Sequence, residues 1–420
     1  MAISKRHVFR LLLVVVPLAL FGIGEVGLRL ADIGNPAMME DPFMGFERTY
    51  RLYGKTKLDG RLVYRTNPNR TGDIPGAFRD EVFPSRKEPG TIRIFCLGES
   101  STYGWGVKKE EAFPFVLASL LRERIPQVNF EVVNAGGCGY ASYRIRLIAL
   151  ELLEYEPDVF ILYVGHNEFV EKRIYQEVGP PGVIRSALVR SYLFNTLRSG
   201  VRRVKFLNSK PVLPFELDEG MMVRDETQMR LTYEHYRYCV EEIVREARKR
   251  KVAVILATPA SNLYVVPNTL KFAPREPLSE HYLRGLRAYA DSRFREAAEE
   301  FRKAVAASPS FAGSHWYLGL ALEALGEKER AREELVRSRD TDAFPERATS
   351  ATNNILREIA KAYDVPLVDV EREFLPLDSS DLFLEGDNVH LTPRGHRLLA
   401  ELLASRIIRE RLVEAVSHEI

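Results

Sequence analysis

Five short apolar segments rich in β-branched residues, at 91–97, 130–134, 158–164, 252–257 and 366–370, punctuate this sequence, each bounded by turn residues. Hydrophobicity that is continuous over so few residues, rather than alternating, is the pattern of a strand buried on both faces. Helical patterns lie between the segments, at 111–124, 142–155, 226–251 and 348–363, and a last one runs over 393–412. This alternation predicts an α/β fold, a doubly wound, flavodoxin-like parallel sheet of five strands with helices on both faces. Ligands of such sheets bind beyond the carboxyl ends of the strands, so the residues that follow each strand are the ones to read for chemistry.

Four of those places carry polar groups of distinct kinds. The first segment runs into Gly98-Glu99-Ser100, which exposes a hydroxyl at a strand-to-helix turn whose backbone amides can receive a developing oxyanion. Taken alone, a serine there serves equally as a helix cap. The second segment ends Asn134-Ala135-Gly136-Gly137, and the Gly136 N–H is the expected oxyanion donor, against the plain alternative of a tight turn that needs glycine. After the third comes Gly165-His166-Asn167-Glu168, whose asparagine amide can donate to the same oxyanion. Near the end stands Asp387-Asn388-Val389-His390, ahead of a helix that Pro393 can start. An Asp three residues before a His can hold Nδ1–H and leave Nε2 to accept the serine proton.

Together these residues resemble the SGNH, or GDSL-like, hydrolases, whose four blocks carry Ser, Gly, Asn and His in that order. The resemblance covers about 91–275 and 346–412. It implies Ser100 as nucleophile, Asp387 and His390 completing a catalytic triad, and an oxyanion hole of the Ser100 and Gly136 amides with the Asn167 side chain. Glu99 and Glu168 stand where the family usually has Asp. The implied activity is that of a serine esterase on an acyl ester, for example an acetyl ester of an envelope carbohydrate or lipid, with no metal and no organic cofactor. An O-acyltransferase using the same triad is the nearer alternative, and an inactive interaction protein the more distant one.

Residues 278–345 break the strand and helix alternation. Gly285, Ala297, Phe301, Ala304 and Pro309 in one helical hairpin and Leu318, Gly319, Gly326, Ala331 and Leu335 in the next, with Gly285, Ala297 and Phe301 answered by Gly319, Ala331 and Leu335 at a step of 34, resemble a pair of tetratricopeptide repeats. Two repeats are too few for a free solenoid, so they are expected to lean on the catalytic body or on a protein partner. An ordinary helical insertion is the plain alternative. At the amino terminus Lys5, Arg6, His7 and Arg10 precede the apolar run 11–24, and Glu25 and Arg29 follow it. This charge order predicts an uncleaved signal anchor with the catalytic domain extracytoplasmic, periplasmic or at the cell surface, a cleaved signal peptide and a buried helix being the alternatives.

The expected organisation is therefore an anchor over 1–30, an irregular membrane-proximal collar over 31–90, a hydrolase domain over 91–277 and 346–420, and a helical insertion over 278–345. With 60 basic and 58 acidic residues, no overall field draws the chain to nucleic acid. Cys96, Cys138 and Cys239 show no metal-ligand spacing and read as buried thiols. Residues 182–207 interleave Arg185, Arg190, Arg198, Arg202 and Arg203 with apolar positions, the pattern of a basic amphipathic lid, of a helix at an anionic membrane surface, or of one packed on the body. His166 is expected either to contact substrate or to point aside, and His396 to be structural.

Overall fold

The computed structural model describes residues 5–31, 33, 51–71, 77–170, 191–194, 196–197, 226–271 and 279–410. Residues 5–33 and 191–197 belong to one compact unit and the remainder to a second. The basic residues of the expected lid, Arg185, Arg190, Arg198, Arg202 and Arg203, lie outside the described residues.

In the first unit the helix α1 (Lys5–Leu30) runs for 26 residues through Pro17. Glu25 on it accepts hydrogen bonds from Ser191 Oγ at 2.8 Å and from the Tyr192 and Leu193 amides at 3.1 and 2.9 Å, and pairs with Arg29 at 2.8 Å. Some α1 side chains fall outside the described residues; among the described ones, no helix is long and apolar enough to cross a membrane.

The second unit begins with a three-stranded antiparallel sheet, β1 (Tyr53–Leu58), β2 (Arg61–Thr66) and β3 (Val82–Pro84). The expectation of an irregular collar over 31–90 is thus wrong for this stretch. Asp59 and Gly60, at φ 47° and 79°, form a two-residue hairpin turn of the type that Asp-Gly favours. The strands carry isolated aromatics instead of apolar runs. Tyr53 and Phe83 meet at 5.0 Å between ring centroids and Tyr64 and Tyr155 at 4.4 Å, joining the main core beside Phe95.

The main sheet is parallel throughout, with β5 (Asn129–Gly136), β4 (Thr91–Gly98), β6 (Val159–Tyr163), β7 (Ala253–Ala257) and β8 (Leu367–Val368) in that spatial order. This is the predicted flavodoxin-like order. Its strands alternate sides: Phe95, Leu97, Phe160 and Leu162 face one core, and Ile94, Cys96, Ile161 and Tyr163 the other. On the first face pack α4 (Ser142–Leu152), α5 (Glu226–Lys249) and α11 (Ser350–Ala362), and on the second α3 (Phe113–Arg124) and α14 (Pro393–Arg409). Each large side chain so buried contributes about 1.5–3 kcal/mol.

Register decides where the chemistry gathers. Gly98 stands opposite both Gly136 and Tyr163, Tyr163 opposite Ala257, and Ala257 opposite Val368. The carboxyl ends of all five strands are therefore level, and the turns that follow them lie side by side.

Between α6 (Asn268–Lys271) and α11 stand two helical hairpins, α7 (Glu280–Ala290) with α8 (Phe294–Ala307), and α9 (Ala312–Ala324) with α10 (Lys328–Thr341). A Cβ on Gly285 would lie 2.6 Å from the Phe301 ring, and one on Gly319 2.7 Å from the Leu335 side chain, so glycine sets the helix approach in both. The hairpins are tied to the body by buried Arg339, which pairs with Glu371 at 2.7 Å and donates to Ser350 Oγ at 2.7 Å.

Candidate active site

Ser100 opens α2 (Ser100–Tyr103), a single helical turn that starts directly from the end of β4. Two glycines allow that turn to sit on the sheet edge. A Cβ on Gly98 would lie 2.1 Å from Thr102 Oγ1, and one on Gly136 would lie 2.3 Å from the Tyr103 amide. The turn is bolted at three points: Ser101 Oγ donates to the Val389 carbonyl at 3.1 Å, Thr102 Oγ1 to the Tyr163 carbonyl at 3.5 Å, and Asn134 Nδ2 to the Thr102 carbonyl at 2.9 Å.

His390 Nε2 lies 2.8 Å from Ser100 Oγ across 290 positions of sequence. Its Nδ1 lies 2.7 Å from Asp387 Oδ2, while Asp387 Oδ1 accepts the Val389 and His390 amides at 2.8 and 2.7 Å. Partial burial opposes ionisation of Asp387, but these hydrogen bonds, led by that from the His390 ring, outweigh it and hold the carboxyl below its ordinary value. The carboxylate fixes the tautomer with Nδ1–H and leaves the Nε2 lone pair toward the serine. Asn262, just beyond β7, supports this turn by donating from its amide N–H to the Asn388 carbonyl at 2.8 Å and from Nδ2 to the Asp387 carbonyl at 3.1 Å. Buried Arg347 donates in turn to the Asn262 carbonyl.

Asn167 follows β6 with Nδ2 donating to the Tyr140 carbonyl at 3.2 Å, which leaves a second N–H on the same nitrogen. The amides of Gly165, His166 and Asn167 converge on the buried Glu99 carboxylate at 2.9, 2.9 and 3.3 Å. Burial, reinforced by the Glu168 charge, pushes Glu99 up to about 8 against the pull of those amides. Glu168 caps the start of α4, accepting from the Ser142 amide and hydroxyl at 2.8 Å each. The two acidic residues that stand in for Asp therefore each do a structural task the sequence did not declare.

Gly136 departs from expectation. Its N–H donates to Asn134 Oδ1 at 2.9 Å, and so is not offered to an oxyanion; the residue is glycine because α2 passes over it. In the turn beyond, Gly137 donates to the Gly98 carbonyl, Cys138 to the Ala77 carbonyl and Tyr140 to the Gly137 carbonyl. Among 136–140 only the Gly139 N–H, at φ 73°, has no protein acceptor among the described residues. Three glycines within four residues, Gly136, Gly137 and Gly139, concealed which amide is left without an acceptor.

His166 is buried, with Nδ1 accepting the Ala348 amide at 3.2 Å, and burial pushes it down to about 3, so the ring is neutral. His396 is packed against Phe113, as a structural residue is expected to be, and burial likewise pushes it to about 3. Cys96, Cys138 and Cys239 are free and buried.

The family model of GDSL-like lipases and acylhydrolases matches residues 96–321, more than half of the 420. That match includes Ser100 and Asn167 and ends before Asp387 and His390, which the fold brings back to the serine. No curated protein matches the chain. Among solved structures, an acetylxylan esterase from Geobacillus stearothermophilus is 13% identical over 75% of this chain and 94% of its own, at a TM-score of 0.37. A lipase/acylhydrolase from Enterococcus faecalis is 15% identical over 75% of this chain and 95% of its own, at a TM-score of 0.34. The chain belongs to the GDSL-like lipase/acylhydrolase family and is an ester-hydrolysing enzyme.

Proposed function

We propose that this chain is a serine esterase working through an acyl-enzyme on Ser100. The observation that carries the reading is the unbroken relay Ser100 Oγ to His390 Nε2 to Asp387, with both contacts at 2.8 Å or less. His390 takes the hydroxyl proton as Oγ bonds to the ester carbonyl carbon, and the carbonyl pair moves onto oxygen. The resulting oxyanion is received by the Ser100 amide, the second Nδ2–H of Asn167 and, in place of Gly136, the Gly139 amide. His390 passes its proton to the leaving alcohol. Water then attacks the acyl-enzyme with the same histidine as base, restoring Ser100 and releasing the acid.

Because catalysis passes through a covalent acyl group, a short-chain acetate ester tests the reading. Rapid mixing of the full chain with excess 4-nitrophenyl acetate should release a burst of alcohol stoichiometric with enzyme, and Ser100→Ala should abolish the burst. Adding sugar acceptors decides between the two fates of the acyl group: acetate release that continues unchanged supports hydrolysis, and acceptor acetylation supports transfer.

The reading extends to placement. The cationic residues Lys5, Arg6 and Arg10 ahead of the apolar 11–24 run support an anchor at the amino terminus. The catalytic body then lies outside the cytoplasm. Retention of the full chain in carbonate-washed membranes, and its release when residues 1–30 are deleted, is the expected outcome. The hairpins are read as a repeat pair resting on the body through Arg339, while Asn262, itself held by Arg347, braces the turn of the catalytic acid.

A further inference from the structure

We propose that Trp105 is the platform that holds the alcohol half of the substrate, and that this half is a carbohydrate ring; the inference rests on the esterase reading above. Trp105 is 40% exposed, although Ser101, Thr102, Tyr103 and Gly104 before it are all buried. Its ring centroid lies 6.4 Å from that of the His390 imidazole, at an interplanar angle of 41°.

The exposure is held in place by a built loop. Gly104 and Gly106, at φ 81° and 80°, flank the residue in a conformation that side-chain-bearing residues rarely adopt. The Trp105 N–H donates to the Ser100 carbonyl at 3.0 Å. Arg79 donates to the carbonyls of Tyr103, Gly104 and Val107 at 3.0, 2.8 and 3.0 Å, and its guanidinium stacks on the Tyr103 ring at 4.1 Å. On the far side a Cβ at Gly106 would lie 2.3 Å from Leu384, whose amide donates to the His390 carbonyl at 2.9 Å. The backbone that carries the indole is thus fixed between the nucleophile's turn and the histidine's turn, and the ring itself rests beside Tyr103 at 6.4 Å between centroids.

Its neighbour tells which half of the ester it meets. His390 must deliver its proton to the leaving oxygen, so the alcohol lies within hydrogen-bonding reach of Nε2. A ring set against that imidazole is on the alcohol's side. The surroundings tell the alcohol's class. Gly106, Lys108, Glu385 and Gly386, the other exposed positions of these two turns, are small or charged. A lipid alcohol calls for a contiguous apolar lining. Among the described residues, one indole in a polar rim instead matches a pyranose, which offers a single apolar C–H face edged with hydroxyls.

The test compares, for the full chain, kcat/KM on O-acetylated cello- and chito-oligosaccharides, on octyl acetate and on vinyl acetate, whose alcohol has no ring. Trp105→Ala should lower the sugar-to-vinyl ratio at least tenfold, chiefly through KM, and Trp105→Phe should restore most of it. In a Trp316→Phe background Trp105 is the sole indole, since the chain has two tryptophans. Unesterified oligosaccharide should then change its fluorescence saturably. An unchanged ratio, or a larger loss on octyl acetate than on sugar esters, overturns the inference. So does wild-type enzyme that cleaves vinyl acetate but no sugar ester. Absence of any turnover, vinyl acetate included, sinks the esterase reading itself, and the inference with it.

Discussion

The helical hairpins and the catalytic edge of the sheet are built on opposite plans. In the hairpins one contact set is used twice: Gly285 under Phe301 recurs as Gly319 under Leu335, and His281 with Glu300 at 2.8 Å recurs as His315 with Glu334 at 2.7 Å, each a step of 34. At the sheet edge nothing repeats. Four different turns each supply one kind of group, and the register of the strands alone makes them neighbours. A repeated plan distributes stability, so that losing one member leaves its copy intact. A convergent plan concentrates function, so that losing one member removes the whole.

The largest expected effect breaks the convergent region. Ser100→Ala and His390→Ala should each lower kcat/KM by about 10⁴-fold or more, and the double variant should be no worse than either, because the relay acts as a unit. Steady-state kinetics on an aryl acetate decide this, and additive losses would contradict it. Asn167→Ala should come next, at about 10²–10³-fold in kcat with little change in KM, as for an oxyanion donor. A rise in KM alone would place Asn167 in ground-state binding instead.

Stability should respond to pH through the turn under the nucleophile. Glu99 is raised from 4.5 to about 8 in the folded protein, so its protonated form is the one folding favours. The stability it contributes is full below about pH 4.5 and is lost as pH rises through about 8, at a slope of at most about 1.4 kcal/mol per pH unit. Denaturant melts should show the wild type losing stability relative to Glu99→Gln between those limits. Parallel curves would mean that the three backbone amides keep the carboxyl ionised.

Smaller effects sharpen the other side of the comparison. Gly285→Ala and Gly319→Ala should each cost about 1–3 kcal/mol by overpacking, with similar values because the contacts are copies, while the aryl acetate kcat of the folded fraction is retained. The copies are unequal in one respect. The His315 side chain is 5% exposed and also reaches the Pro309 carbonyl at 2.9 Å, whereas that of His281 is 40% exposed. His315→Ala should therefore cost about 1–3 kcal/mol and His281→Ala under about 1. Equal losses in thermal melts would mean the burial difference is immaterial.

What the sequence made legible follows the same division. Continuous apolar runs foretold all five strands of the main sheet, and the step of 34 foretold both hairpins, because each is a local pattern with one physical cause. The antiparallel sheet over 53–84 escaped, since its burial rests on single aromatics; the Asp59-Gly60 turn was the available signal. Ser100, Asn167, Asp387 and His390 were singled out by their order and their places after strands, and the fold brings Ser100, His390 and Asp387 together. Gly136 was misjudged because a glycine's amide, unlike a side chain, shows its use only through its acceptor, here Asn134. The tasks of Glu99, Glu168 and Asn262 are tertiary contacts between residues far apart in sequence, which no local pattern encodes.

The reactivity of one hydroxyl is decisive, and a fluorophosphonate probe reads it on the purified full chain. Wild type should label at a single serine, identified as Ser100 by peptide mass spectrometry, and Ser100→Ala and His390→Ala should not label. Failure of the wild type to react under conditions that label a control esterase, or reaction at a different serine, would contradict it.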